Sequence, residues 1–241
     1  MCKRWRSVKE NDKIVSMDID IVYLVIVIAV VFFSMVLHEL MHGLTAYWLG
    51  DTTAQEQGRL TLNPIKHIDP FLTLLLPVMM VIAGGFVHGM PVFGGAKPVP
   101  FRPDRVKGGE WGAALIGIVG PLTNLVLAFI CFMIAWFSGV LAVQGGELYY
   151  AGGIMAQILT AGIMVNLGFF AFNILPIPPL DGSRLLYAVA PSGVQRAMAV
   201  IENAGLLVVF AVVLILSQPL SYVLGAIINA ILKFFVMIFG A

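Results

Sequence analysis

The chain has 241 residues, of which 60% are hydrophobic and only 11% are charged, and its formal net charge is +1. Soluble globular chains carry about 25% charged residues, so this composition excludes an ordinary soluble domain and predicts an all-α polytopic membrane protein. The balanced charge gives no basis for a nucleic-acid partner, and Cys2 and Cys131 have no spacing typical of a disulfide or a thiolate metal site.

A polar extension followed by a long apolar segment begins the chain. Residues 1–18 mix basic and acidic side chains, and residues 19–241 are expected to form a single membrane-embedded domain. The first apolar segment, about Ile19 to Leu49, would be longer as a helix than the hydrocarbon core of roughly 30 Å, so it must tilt or protrude. It has no small-residue cleavage site and is therefore predicted to stay in the mature chain.

The sequence His38-Glu39-Leu40-Met41-His42 lies near the end of this first span. Residues four apart share one helix face, so both imidazoles can reach the same ion while Glu39 is turned toward the neighbouring edge. This spacing supplies two neutral nitrogen ligands and one carboxylate base for metal-dependent hydrolysis. The alternative is a chance pattern in which backbone carbonyls satisfy both rings. Ionisable side chains at membrane depth are costly and normally persist only for function, which favours the metal site.

The region after the first span is predicted to combine loops with a segment that does not cross the membrane. Phe71 to Val87 is apolar, but Pro77 and Gly84-Gly85 interrupt it, so we expect a re-entrant or membrane-embedded hairpin there. Gln57 to Leu62 and Val92 to Val99 could form strands that pair with an unwound peptide, or they could be ordinary loops.

Four more apolar segments follow, at about Trp111 to Val143, Gly153 to Leu175, Val194 to Leu216 and Ser221 to Phe239. The sequence therefore predicts about five to six transmembrane helices, with a re-entrant or short β-hairpin region after the first span. The catalytic core is expected at about 19–190 and the accessory spans at about 194–241.

Asp181 is the best candidate for a third metal ligand. It follows a segment in which Pro176, Pro178 and Pro179 forbid helix, so it lies in extended backbone at the end of an apolar span. A catalytic zinc ion usually takes three protein ligands and leaves a fourth position for water. The alternative is that Asp181 caps the helix that begins near Ser183. The paired histidines favour ligation.

Several motifs together resemble one family. They are His38-Glu39-Leu40-Met41-His42, Asn173 through Pro176 and Pro179 to Asp181-Gly182, Gly58-Arg59-Leu60-Thr61-Leu62-Asn63-Pro64, Ala96-Lys97-Pro98-Val99-Pro100 and Gly120-Pro121-Leu122-Thr123-Asn124. The sequence resembles the site-2 protease family of intramembrane zinc metalloproteases, in its short prokaryotic type without a PDZ or CBS domain. The resemblance extends over about Val36 to Arg184.

This resemblance implies one zinc ion per chain, bound by His38, His42 and Asp181, with Glu39 as the catalytic base. It also implies that the substrates are transmembrane proteins cleaved within the lipid bilayer. Asn173 could donate to the oxyanion or the substrate backbone, or it could make an interhelical hydrogen bond.

Three other polar residues are expected to play no direct part in catalysis. For Asn124, one turn after Pro121, structural hydrogen bonding is favoured. His67 and His88 have no partner at ligand spacing, so neither is expected to bind zinc.

The sequence favours proteolysis over two other functions. A metal-ion transporter would use the His, Glu and Asp residues as a permeation site, but it should show such residues along successive spans and often a repeat. A catalytically inactive relative is disfavoured because Glu39 and all three candidate ligands are present. The bias of Lys and Arg favours an active site nearer the cytoplasmic face, and the family resemblance implies the same face and a prokaryotic cell membrane. The sequence does not indicate an oligomeric state.

Overall fold

The computed structural model describes residues 21–67, 98–144 and 147–239. Its α-helices are α1 (Ile21–Trp48), α2 (Thr53–Glu56), α3 (Glu110–Phe137), α4 (Ile154–Asn173), α5 (Ser183–Val189), α6 (Ser192–Ala204), α7 (Leu206–Ile215) and α8 (Ser217–Ile238). Short 3-10 turns cover Pro64–His67 and Pro103–Arg105, and the strands are β1 (Leu141–Gln144) and β2 (Glu147–Tyr150).

Among the described residues, four helices are long and apolar enough to cross a membrane: α1, α3, α4 and α8. This confirms a mostly helical membrane protein. One predicted crossing, Val194 to Leu216, is not among these four. Phe71 to Val87 lies outside the described residues, so the predicted re-entrant hairpin is untested there.

The segment Val194 to Leu216, predicted as one span, is not one continuous helix. The segment forms two helices, α6 and α7, which meet at Gly205, whose φ is 55°. Glycine tolerates this left-handed conformation, which interrupts a helix without a proline. The helix before the break also carries Arg196 and Glu202, so only α7 is apolar throughout.

A β-hairpin joins α3 to α4. The predicted second span extended to Val143, but α3 ends at Phe137 and the chain turns at Gly139, whose φ is 70°. Strands β1 and β2 then pair antiparallel, with Leu141 opposite Tyr150. The hairpin therefore lies after the second described transmembrane helix. The prediction put a short hairpin after the first, where residues 68–97 are outside the described part.

Helices α1, α3 and α4 pack against one another and form the centre of the molecule. The side of α3 that faces α1 and the loop after α4 is lined by small residues, which allow close approach between membrane helices. A Cβ added at Gly117 would lie 2.8 Å from the backbone oxygen of Asp181. Because α3 and α4 run in opposite directions, the loop after α4 returns to the end of α1.

The loops at this end are held together by Arg59 and the end of α1. The buried Arg59 guanidinium donates to the carbonyls of both Lys66 and Pro98. The backbone N–H of Lys107 donates to the Leu49 carbonyl at 2.8 Å. Of the two alternatives for Gln57 to Leu62, strand or ordinary loop, the structure shows the loop, since these residues form turns and bends.

Candidate metal centre

Two histidines of α1 and one aspartate after α4 bring their side chains to one point. His38 and His42 are both buried on the side of α1 that meets α3. The Nε2 atom of His38 lies 3.0 Å from Nε2 of His42 and 3.0 Å from Oδ2 of Asp181. The same oxygen lies 3.4 Å from Nε2 of His42. The structure therefore brings together the three residues that the sequence predicted as ligands.

The other ring nitrogen of each histidine, Nδ1, faces a hydrogen-bond acceptor. Nδ1 of His42 lies 2.6 Å from the backbone carbonyl oxygen of Ile116, and Nδ1 of His38 lies 2.6 Å from Oδ1 of Asn124. A carbonyl oxygen can only accept, so Nδ1 carries the proton in each neutral ring. Each Nε2 then presents a lone pair to the other ring and to the Asp181 carboxylate. Three acceptors converge with no proton between them.

A metal cation fits this convergence. In a tetrahedral zinc site with metal–ligand distances of about 2.0–2.1 Å, the ligand atoms are roughly 3.3 Å apart. The three separations here are 3.0, 3.0 and 3.4 Å. Two imidazole nitrogens and one carboxylate are also the donors that catalytic zinc commonly takes. Among the described residues, this is the group of His, Cys, Asp and Glu side chains that could hold a metal ion.

Gly120 of α3 leaves the space that this site needs. A Cβ added there would lie 2.3 Å from Nε2 of His42 and 2.7 Å from Nε2 of His38. Any side chain at this position would therefore press against both nitrogens that face the centre. Because Gly120 has no side chain, the α3 backbone can lie close to both histidines and still leave room for an ion between the packed helices.

The chain folds back after α4 to place Asp181. The Gly182 N–H donates to the carbonyl of Asn173, the last residue of α4, at 2.7 Å. A Cβ on Gly182 would lie 2.2 Å from the Ile174 oxygen, so this turn requires glycine. The alternative role of Asp181 as a helix cap is wrong. Gly182 occupies the N-cap position of α5, and no side-chain capping bond is present there.

Glu39 is buried next to the two histidines, but it is not one of the three converging residues. Its Oε2 atom accepts a hydrogen bond of 2.8 Å from the backbone N–H of Val99. This bond fixes the carboxylate through one oxygen and leaves the other for a further proton. The Pro98 carbonyl just before Val99 is held by Arg59, so the loop that contacts Glu39 is itself anchored.

Two of the remaining predicted polar residues, Asn173 and His67, make hydrogen bonds in the structure. Asn173 donates from Nδ2 to the Phe169 carbonyl at 3.1 Å within α4, which uses one of its two amide protons. Its catalytic role stays a prediction. His67 is buried with Nε2 donating to the Thr61 carbonyl at 2.9 Å, away from the metal centre. His88 lies outside the described residues.

Asn124 makes hydrogen bonds, as the sequence predicted, but one partner is a candidate ligand. Its Nδ2 donates to Oδ1 of Asn166 on α4 at 2.9 Å. Sequence reasoning missed Asn166, although an amide inside an apolar span is a signal of an internal polar contact. It also missed the contacts of His42 with the Ile116 carbonyl and of Glu39 with the Val99 N–H, since every residue type can supply such backbone groups.

Comparison with known proteins agrees with this geometry. The model for Peptidase family M50 matches residues 136–216. The protein named "Putative zinc metalloprotease YwhC" of Bacillus subtilis (strain 168) is 40% identical over 222 residues, which cover 90% of this chain and 92% of that protein. The chain belongs to peptidase family M50, the site-2 protease family.

Two further relatives match a smaller share of this chain. "Putative zinc metalloprotease Rip2" of Mycolicibacterium smegmatis (strain ATCC 700084 / mc(2)155) is 33% identical over 201 residues, covering 82% of this chain and 69% of that protein. "Putative zinc metalloprotease MJ0611" of Methanocaldococcus jannaschii is 41% identical over 71 residues, covering 30% of this chain and 31% of that protein. No solved structure matches the chain significantly. Membership confirms the resemblance seen in the sequence and supports a metalloprotease.

Proposed function

We propose that this member of peptidase family M50 is an intramembrane zinc metalloprotease that cleaves peptide bonds within or near the transmembrane helices of other membrane proteins. One zinc ion per chain is held by His38, His42 and Asp181. The observation that carries the proposal is the convergence of Nε2 of His38, Nε2 of His42 and Oδ2 of Asp181, which lie 3.0–3.4 Å apart beside a buried glutamate that is not one of the three.

The chemistry follows from the arrangement of the chain's own groups. Zinc supplies a water molecule with a pKa near neutrality and polarises a carbonyl oxygen. Glu39 is held at Oε2 by the Val99 N–H, so its other oxygen would be available to accept a proton from water and later to return it to the leaving amine. Asn173, which has one amide proton beyond its bond to Phe169, is proposed to donate to the oxyanion or the substrate backbone.

The position of the site supports a substrate within the bilayer. His38 and His42 belong to a helix of 28 residues that is long and apolar enough to span the membrane, and both are buried against α3. A helical substrate hides its peptide bonds in its own hydrogen bonds, so it must unwind locally before cleavage. We propose a prokaryotic cell membrane on the basis of the family, and a site nearer the cytoplasmic face on the basis of the family and the bias of Lys and Arg.

The described residues give no support to the metal transporter. That function predicted His and acidic residues along successive spans. In the described residues, the one group that could hold a metal joins the end of α1 to the loop after α4. No second group continues it as a path along the neighbouring helices described here.

Comparative proteomics of membrane fractions tests the proposal. Cells carrying the wild type are compared with cells carrying Glu39→Gln, and with Glu110→Gln as a matched control at an exposed carboxylate. We expect at least one transmembrane protein to accumulate uncut only with Glu39→Gln, with cleavage mapped inside or beside its apolar span. If every cut that depends on Glu39 maps to soluble segments far from a membrane span, the intramembrane specificity is wrong.

A further inference from the structure

A chain of two buried side-chain amides runs from His38 to the backbone of α4. Nδ1 of His38 faces Oδ1 of Asn124, whose Nδ2 donates to Oδ1 of Asn166, whose Nδ2 in turn donates to the Gly162 carbonyl. The three distances are 2.6, 2.9 and 2.8 Å. Asn124 and Asn166 are exposed by 0% and 2%, so water does not replace these bonds.

The Gly162 carbonyl determines the donor and acceptor of every hydrogen bond between it and His38. The Gly162 oxygen can only accept, so Asn166 must turn its NH₂ group toward it and its Oδ1 toward Asn124. Asn124 must then turn its own NH₂ toward Asn166 and its Oδ1 toward the histidine. His38 therefore has to carry its proton on Nδ1, which leaves the Nε2 lone pair facing Asp181.

The two histidines reach the same tautomer by different means. His42 is held directly by a backbone carbonyl, that of Ile116, which cannot turn around. His38 is held by a side-chain amide, which could rotate by 180° and present a donor instead. Asn166 removes that freedom from Asn124. Partners of this kind orient metal-binding histidines, and their loss typically lowers metal affinity by about 10- to 100-fold.

We propose that Asn124 and Asn166 form an amide relay that sets the tautomer and ring orientation of His38, and through it the metal affinity of the site. Both are positioning residues, and Asn166 acts only through Asn124. This inference rests on the proposed metal centre, but the tautomer of His38 is a property of the chain itself and can be measured without metal.

The first test is metal affinity. Full-length variants are purified in detergent and titrated with Co²⁺ against a competing chelator, following the visible absorption of the bound ion. We expect Asn124→Leu, which offers no acceptor, to weaken Co²⁺ binding by about 10- to 100-fold. Asn124→Asp keeps an acceptor for the His38 proton, although Asn166 must then turn its NH₂ toward the carboxylate and give up its Gly162 bond, and its Co²⁺ affinity should stay within about threefold of the wild type. Thr123→Val is the matched control, since the side-chain bond of Thr123 among the described residues goes to the Val119 carbonyl of its own helix.

The second test separates the relay from a merely structural role of Asn166. A carboxylate has an acceptor on each side, so its rotation cannot present a donor to His38. We therefore expect Asn166→Leu to weaken Co²⁺ binding several-fold in the wild-type background and to have no further effect in the Asn124→Asp background. An equal effect in both backgrounds, or wild-type affinity in Asn124→Leu, would overturn the proposal.

The third measurement reads the tautomer directly. The chain has 4 histidines, so ¹⁵N-histidine NMR of the metal-free protein can be assigned with single substitutions. We expect the His38 proton on Nδ1 in the wild type and a mixture of tautomers in Asn124→Leu, with His67, which donates from Nε2, as an internal reference. A His38 proton on Nε2 in the wild type would contradict the relay. The correct tautomer in a protein that binds no Co²⁺ would uphold the relay and overturn the proposed metal centre.

Discussion

Glu39 can be separated from the metal ligands by substitution, because its side chain lies beside the converging atoms but is not among them. Glu39→Gln keeps the size of the side chain and removes the base. We expect turnover to fall by about 10²- to 10⁴-fold while zinc content stays near one per chain. Zinc analysis of the purified variant checks this. Loss of the metal from Glu39→Gln would mean that Glu39 is a ligand.

Gly120 allows a test of the space at the metal centre. Gly120→Ala would put a Cβ 2.3 Å from Nε2 of His42, so the two rings cannot keep their positions. We expect zinc content and activity to be lost together in this variant. Gly168→Ala in α4 is the control, since a Cβ there meets nothing within 4 Å. Full zinc content in Gly120→Ala would show that the rings point elsewhere in solution.

Asp51 connects two elements near the site. It is fully buried just after α1, and it accepts hydrogen bonds from the backbone and side chain of Thr53 and from the backbone N–H of Arg102. It therefore ties the end of α1 to the loop that continues from Val99. Burial alone would raise the pKa of this carboxyl, but these hydrogen bonds and the charge of Arg105 hold it below its ordinary value.

This arrangement predicts a pH dependence of stability. Because the carboxyl has a lower pKa in the folded than in the unfolded chain, its stabilisation is complete at neutral pH and is lost as the pH falls from about 5 through the folded pKa. Asp51→Asn should lower the free energy of unfolding by about 1–3 kcal/mol at pH 7. Its unfolding temperature in detergent should also depend less on pH below 5 than that of the wild type. Parallel pH curves for the two proteins would contradict this role.

At the scale of the whole molecule, the metal centre determines which helix ends lie on the same side of the membrane. The end of α1 and the loop after α4 meet at the site, while the β-hairpin lies at the opposite ends of α3 and α4. Cysteines introduced as Gln55→Cys and Ser192→Cys in a cysteine-free background should react with an impermeant thiol reagent from one face, and Ser138→Cys from the other. We expect position 138 to be the one labelled on intact cells. Labelling of 55 and 138 from the same side would contradict the arrangement.

Local sequence patterns predicted the metal-binding residues better than they predicted where helices and strands begin and end. The spacing of His38 and His42 and the proline-rich segment before Asp181 predicted three residues that meet in space, because helix periodicity and proline geometry are local. Hydropathy could not reveal the break at Gly205, which depends on a left-handed backbone conformation. It also could not separate the strand at Leu141 from the helix before it, since both are apolar.

The most direct test of the central claim is the zinc content of Asp181→Ala. Asp181 completes the site from a loop more than a hundred residues away from the histidines in sequence, so only the folded arrangement makes it a ligand. After dialysis against a chelator, we expect about one zinc ion per chain in the wild type and in the exposed control Asp104→Ala, and almost none in Asp181→Ala. Wild-type zinc content and affinity in Asp181→Ala would contradict the metal centre described here.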